Sequence, residues 1–217
     1  MTSFDGRVSA SMEKAEWFFD VVSPFSYLAF HRIEALRDRL DIQPVPILFA
    51  ALLKHWGTLG PAEIAPKRIH TYQFCVWLAG RHGVPFSMPP RHPFNPLAAQ
   101  RLLVSLGART ADVGEALDFV FAHGRDPEVE FQALAERLGV DDAQERIGSA
   151  DVKRQLKDNT QRAIDLGVFG VPTLVLRDRL FWGSDAVDWA EDFYSRPTLF
   201  DEPAYAAAAR TEVGVRR

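Results

Sequence analysis

The run Glu16-Trp17-Phe18-Phe19-Asp20-Val21-Val22 stops at Ser23-Pro24, and no other feature narrows the fold so far. An unbroken stretch of aromatic and β-branched residues describes a buried strand. Serine is a strong N-cap and proline suits the first helical position, so this strand hands over directly to a helix. Phe25, Leu28, Ala29, Ile33, Leu36 and Leu40 then recur at helical spacing. After Asp41 a second strand is expected over 42–49, carrying Val45, Ile47, Leu48 and Phe49. Pro44 and Pro46 put it at a sheet edge or make it irregular. Strand, helix and strand in so short a span form a βαβ unit with parallel strands.

Helical periods dominate from 62 to 166. Ile69, Tyr72, Val76 and Ala79 form one stripe, ended near Gly83. Asn95-Pro96 opens the next helix and Gly107 closes it. Val113, Ala116, Leu117 and Val120 form another stripe. Pro127 opens one with Phe131, Leu134 and Leu138, and Ser149 opens one with Val152, Leu156, Ala163 and Ile164, ended by Gly167. Strand signals return at Thr173–Leu176 and Leu180–Trp182, around the turn Arg177-Asp178-Arg179. Gly183-Ser184-Asp185 then starts a helix with Val187, Ala190 and Phe193 inward.

The order β-α-β, helices, β-β-α places a parallel and an antiparallel half in one sheet. That is an α/β, thioredoxin-like fold with a large all-helical insertion. The expected organisation is a flexible extension over 1–14, a thioredoxin-like domain from 15–60 and 167–199, a helical insertion domain over 61–166, and a C-terminal tail over 200–217. In such a fold Pro172, just before the third strand, is cis.

Composition removes several function classes. Lys+Arg total 25 against 29 Asp+Glu, a net charge of −4, so no nucleic-acid or anionic-membrane partner is expected. No apolar run approaches the ~20 residues of a membrane span. The first sixteen residues lack the apolar core of a secretory signal, and a cytoplasmic location is expected. The single cysteine, Cys75, excludes a disulfide within one chain and any multi-cysteine metal site. Beside Val76, Leu78 and Ala79 it is expected in the core rather than as a nucleophile. The six histidines show no metal-ligand spacing, and no metal is expected.

Four regions carry candidate chemistry. Ser23 lies where free backbone N–H groups and the helix dipole favour an anion; its hydroxyl either donates to a thiolate or only caps the helix. Val171, ahead of Pro172, either pairs its N–H and C=O with an extended peptide or belongs to a plain loop. Trp182-Gly183-Ser184-Asp185 forms a second helix start, suited to a carboxylate on its N–H groups and an ammonium on Asp185, or an ordinary cap. Lys54 and Lys67 are candidate partners for a substrate carboxylate, or surface residues. Asn95 either bonds a substrate or caps a helix. Trp56, Phe74 and Trp77 either line an aromatic pocket or pack the core.

The segment from Phe18 to Ala29, FFDVVSPFSYLA, resembles the N-terminal motif of the 2-hydroxychromene-2-carboxylate isomerases and kappa-class glutathione transferases. These belong to the larger thioredoxin-like family of DsbA proteins. The resemblance continues through Lys67–Tyr72, Pro93-Phe94-Asn95-Pro96 with Arg101, Phe169–Thr173 and Phe181–Asp185, covering about 16–195. It implies glutathione as cofactor, with Ser23, Pro24, Phe25, Thr58, Val171, Pro172, Trp182, Gly183, Ser184 and Asp185 around it. Ser23 would hold the cofactor's sulfur as thiolate. It implies a small aromatic carboxylate as substrate near Lys54, Lys67 and Asn95, a role in breakdown of aromatic compounds, and a homodimer. The implied reaction is cis/trans isomerisation of an aromatic unsaturated keto acid by reversible thiolate addition.

Oxidoreductases of this fold carry Cys-x-x-Cys where this chain has Ser23 and Ser26, which excludes dithiol exchange there. Two positions depart from the family. Ala186 stands where an arginine usually follows the aspartate, and Thr58, after Gly57, stands where the kappa class has asparagine. A kappa-like glutathione transferase is the alternative reaction. A non-catalytic thioredoxin-like protein that binds a peptide is the alternative of another class, and these two departures favour it.

Overall fold

The structure is a computed structural model and describes residues 12–215. Strands β1 (Glu13–Phe19), β2 (Leu40–Pro46), β3 (Thr173–Leu176) and β4 (Arg179–Trp182) form one mixed sheet in the order β2-β1-β3-β4. β1 and β2 are parallel; the other two pairings are antiparallel. The edge place of β2 matches its prolines, which lack the N–H that a second neighbour would need. Most of the expected 1–14 extension lies outside the described residues, but Glu13 and Lys14 already pair with Leu40 and Asp41.

That register also shortens the first helix. α1 (Pro24–Ile33) gives way to a 3₁₀ turn at Glu34–Leu36, and Leu40 opens β2 instead of ending a helix. β2 in turn stops at Pro46, short of the expected Phe49. Ile47 N–H still donates to Phe19 O, but Leu48 N–H goes to Thr160 Oγ1 and Phe49 N–H to Asp20 Oδ2. With its ladder donors diverted, the chain turns into α2 (Phe49–Trp56), a helix the periodicity does not reveal.

The insertion contains α3 (Ala65–His82), α4 (Leu97–Ser105), α5 (Thr110–Phe121), α6 (Phe131–Arg137), α7 (Ala143–Gly148) and α8 (Ala150–Asp165). Pro127 precedes α6 by a turn rather than opening it, and α7 was not expected. α3 ends at Gly83 as expected, but its buried face is not the Ile69, Tyr72 and Val76 stripe. Thr71, Cys75 and Ala79 are buried, whereas Ile69 and Val76 are each 56% exposed. α3 packs on α1 through its small side chains, and the larger apolar ones turn outward. Both stripes have helical period, so spacing alone does not choose between them.

Alternation along β1 divides the core. Trp17 and Phe19, stacked with centroids 4.7 Å apart, join α1, α5 and α9 (Val187–Ser195) on one face. Phe18 faces the other way, with Val45, Val175, Leu52 of α2 and Ala163 of α8. Cys75, Leu103, Val113 and Val120 of the insertion share the first cluster with the sheet. The expected loose tail is structured up to Ala209. A 3₁₀ turn at Leu199–Asp201 and α10 (Pro203–Ala209) set Phe200 against Phe193 and Trp189, with Tyr205 on Phe200. No helix among the described residues is long and apolar enough to cross a membrane.

Candidate functional site

A cavity of about 1210 Å³ opens where β1 runs into α1. Ser23, Pro24, Phe25, Lys54, Thr58, Lys67, Asn95, Val171, Trp182, Gly183, Ser184 and Asp185 all line it. Pro172 does not; it sits behind the wall, where its carbonyl accepts from Gly183 N–H at 2.9 Å.

Ser23 is the N-cap of α1. Its Oγ accepts from Ser26 N at 3.2 Å and donates to Val171 O at 3.4 Å. Capping uses a lone pair, so the hydroxyl hydrogen is committed only to that long second bond. An anion at the mouth of α1 meets weak competition for it. The Val171–Pro172 peptide is cis, as expected, and the Val171 N–H donates to no acceptor among the described residues. Ser26, at the second position of the motif, is fully buried outside the cavity lining, its Oγ without a partner among the described residues.

The turn before α9 is built on Gly183, whose φ of +99° suits glycine. Ser184 is buried beneath it. Ala186 leaves this turn without the arginine that the family resemblance implies. Arg32 of α1, however, donates to Ser184 O and reaches Asp188 Oδ1 at 2.5 Å, so a guanidinium lies on the same turn and on the cavity wall. Phe169 and Trp182, edge to face at 5.0 Å and about half exposed, wall the opening.

On the opposite side Lys54 and Lys67 are exposed and join no ion pair among the described residues. Asn95 lines the cavity and its Oδ1 accepts from Leu97 N at 3.0 Å, but the N-cap of α4 is Pro96, one residue later than the expected Asn95. Phe74 lines the cavity and faces Phe25 at 6.3 Å. Trp56 and Trp77 line neither the cavity nor the core; both are largely exposed. Cys75 is buried, and burial pushes its thiol up to about 12, which suits packing and not nucleophilic attack.

Three contributions escaped the sequence reading. Asp20 is fully buried, with Oδ1 accepting from Val22 N at 3.0 Å and Oδ2 from Phe49 N at 2.9 Å. It ties the Ser23 turn to the start of α2. Burial pushes its carboxyl up to about 7, against the opposing pull of the two N–H donors. A lone carboxylate inside an apolar strand was the signal for it. His92 and Tyr72 are the second contribution, bonded to each other at 2.6 Å on the cavity wall. Arg32 is the third. No sequence spacing announces either of these last two contacts. Among the described residues, no group of three or more His, Cys, Asp or Glu is placed to hold a metal.

A capping serine at the start of α1, facing the residue before a cis-proline across a mixed sheet, defines a thioredoxin-fold site. Residues 15–195 match the DSBA-like thioredoxin domain, and the chain belongs to that family. It is 30% identical over 206 residues to glutathione S-transferase kappa 2 of Caenorhabditis elegans, covering 84% of this chain and 92% of that protein. It is 29% identical over 194 residues to 2-hydroxychromene-2-carboxylate isomerase of Sphingobium xenophagum, covering 82% of this chain and 96% of that one. A solved 2-hydroxychromene-2-carboxylate isomerase superposes with a TM-score of 0.76 at 25% identity, over 92% of this chain and all of the other.

Proposed function

We propose that this protein is a glutathione-dependent isomerase of aromatic unsaturated keto acids, of the 2-hydroxychromene-2-carboxylate isomerase type. The observation that carries the reading is the Ser23 hydroxyl, weakly engaged at the N-terminus of α1 on the wall of a large, aromatic-lined cavity.

The residues present fit glutathione. The Val171 N–H, without an acceptor among the described residues and beside a carbonyl that there holds just the long Ser23 bond, offers β-like pairing to an extended peptide. The turn at Gly183–Asp185, with Arg32 against it, suits the γ-glutamyl end: cation and helix start for its carboxylate, Asp185 for its ammonium. When bound, glutathione supplies a thiolate able to add reversibly to a conjugated double bond, which then rotates as a single bond. Ser23 donates a hydrogen bond to that sulfur, and the N–H groups opening α1 lower the thiol's pKa. Lys54 and Lys67 hold the substrate carboxylate, while Phe25, Phe74 and Trp182 enclose the ring and limit water. The outward apolar side chains of α3 support the homodimer that the family resemblance implies.

A kappa-like transferase is the second reading, favoured by the similarity to the C. elegans protein. Product analysis separates the two: isomerised keto acid with glutathione recovered supports the isomerase, and a stable thioether supports the transferase. Calorimetry with glutathione tests both at once. Binding heat and thermal stabilisation at millimolar glutathione are expected; their absence would leave the non-catalytic peptide-binding reading.

A further inference from the structure

Between α3 and α4 the chain runs through 83–96 without helix or strand, yet His92, Pro93, Phe94, Asn95 and Pro96 wall the cavity. Pro89, Pro90, Pro93 and Pro96 leave four backbone N–H groups from 89 to 96. Of these, Asn95 N–H alone has an acceptor among the described residues: Glu128 Oε2, at 2.9 Å. A segment with so few amides cannot fix itself through its own backbone and must be held by side chains. On its inner side, His92 Nε2 lies 2.6 Å from Val22 O. On its outer side, the hold comes from the loop between α5 and α6.

Arg91 Nε donates to Asp126 Oδ2 at 2.8 Å, and Arg91 Nη2 reaches Glu128 Oε2 at 3.3 Å. Glu128 Oε2 thus takes Arg91 and Asn95 together and brackets the span between them. Asp126 is 2% exposed, and its Oδ1 accepts from Glu128 N at 2.9 Å, which fixes the start of the residue that does the bracketing. The base of the loop is held as well: Arg125 donates twice to Glu130 Oε2 and lies over the Phe119 ring of α5 at 4.4 Å. An exposed ion pair alone is worth little, but a carboxylate taken out of water needs its partner. Arg91, Asp126 and Glu128 do not line the cavity. They reach it only through the segment they hold.

We propose that Arg91, Asp126 and Glu128 are positioning residues, a clasp that sets where the 92–96 wall stands and so tunes affinity for the aromatic keto acid. The proposal rests on reading this cavity as a site for aromatic keto acids, but not on the use of glutathione. The test measures dissociation constants for trans-benzylidenepyruvate and, separately, for glutathione in wild type, Glu128→Ala, Glu128→Gln and Arg91→Ala. The Glu128 side chain is 42% exposed, so its loss should not prevent folding. Glu128→Ala should weaken keto-acid binding roughly three- to tenfold, the scale of one modest hydrogen bond, and leave glutathione affinity unchanged. Glu128→Gln keeps an acceptor for Asn95 N–H and should retain most of the wild-type affinity. Arg91→Ala should follow Glu128→Ala. A merely structural role would lower the melting temperature without separating the two ligands. Unchanged keto-acid affinity in folded Glu128→Ala overturns the proposal, and so does equal weakening of both ligands. Amide hydrogen exchange in wild type needs no variant: Asn95 N–H is expected to exchange slowly, and exchange at the rate of a free surface amide overturns the clasp. If wild type does not bind the keto acid, the substrate reading falls and the proposal with it. If glutathione does not bind, the contrast between the alanine and glutamine variants at Glu128 still decides.

Discussion

The two sides of the cavity are built from different materials. On the sheet side, Val171 and the Gly183–Asp185 turn offer chiefly backbone groups, which the strands hold in place, with the Ser23 hydroxyl beside them. On the other side, α2, α3 and the segment 92–96 act through side chains: Lys54, Lys67, Tyr72 and His92. A peptide-like cofactor presents the same main-chain groups every time and suits the first side. A substrate is distinguished by its substituents and suits the second. On the proposed reading, the main-chain groups of one side would hold the cofactor and the side chains of the other would choose the substrate.

Asp20 spans this division, because its two oxygens bond the amides of Val22 and Phe49. It should give the largest effect on stability. Its carboxyl stands near 7 in the folded protein against 3.8 as its ordinary value, so the folded state binds its proton more tightly. The contribution is thus full below about pH 4, falls as pH rises towards 7, and is flat above. A shift of this size corresponds to about 4 kcal/mol across that window. Denaturant unfolding of wild type and Asp20→Asn from pH 4 to 8 should show the decline in wild type and a much flatter curve in the variant.

Gly183→Ala should come next. At φ +99° an added Cβ is strained and meets the Asp185 carboxylate. A cost of about 1–3 kcal/mol is expected, read as a lower melting temperature. Because the change deforms the backbone side, glutathione affinity should fall while keto-acid affinity persists. Equal loss of both would dissolve the distinction between the two sides.

Lys54→Ala and Lys67→Ala should give the smallest effects. Each ammonium is exposed, so losing one should weaken keto-acid binding only about two- to fivefold, and less at high salt. Glutathione affinity, measured by titration calorimetry, should not change. A fall in glutathione affinity equal to that of the substrate would place these lysines on the cofactor side.

How far the sequence disclosed each side follows from the same difference. Ser23-Pro24, Val171-Pro172 and Gly183-Ser184-Asp185 are local: serine, proline and glycine announce a turn wherever they stand, and all three turns are present, although the N-cap of α9 falls on Ala186, without a side-chain cap bond, and not on Ser184 or Asp185. The other side depends on packing. Spacing does not select the inward face of α3, because Thr71, Cys75 and Ala79 repeat as regularly as Ile69, Tyr72 and Val76, and only the close approach of α1 selects the small set. Tyr72 meets His92 twenty residues later in the chain, and Arg32 meets Ser184 from another helix. Pairings of that kind are created by the fold and leave no period to read. α2 was hidden for a similar reason, since its start depends on Asp20 and Thr160 taking two amides out of the β2 ladder.

The most direct test of the Ser23 assignment is the pH–rate profile of folded Ser23→Ala at saturating glutathione. Pro24 keeps the helix start, while the cap is lost at a cost of about 0.5–2 kcal/mol of stability. Loss of a hydrogen bond to a thiolate is worth roughly 1.5–3 kcal/mol. The neutral-pH rate should therefore fall about ten- to a hundredfold and recover in part at alkaline pH, as the cofactor thiol ionises unaided. If the profile of the variant overlays that of wild type, Ser23 is a helix cap alone and the thiolate site lies elsewhere.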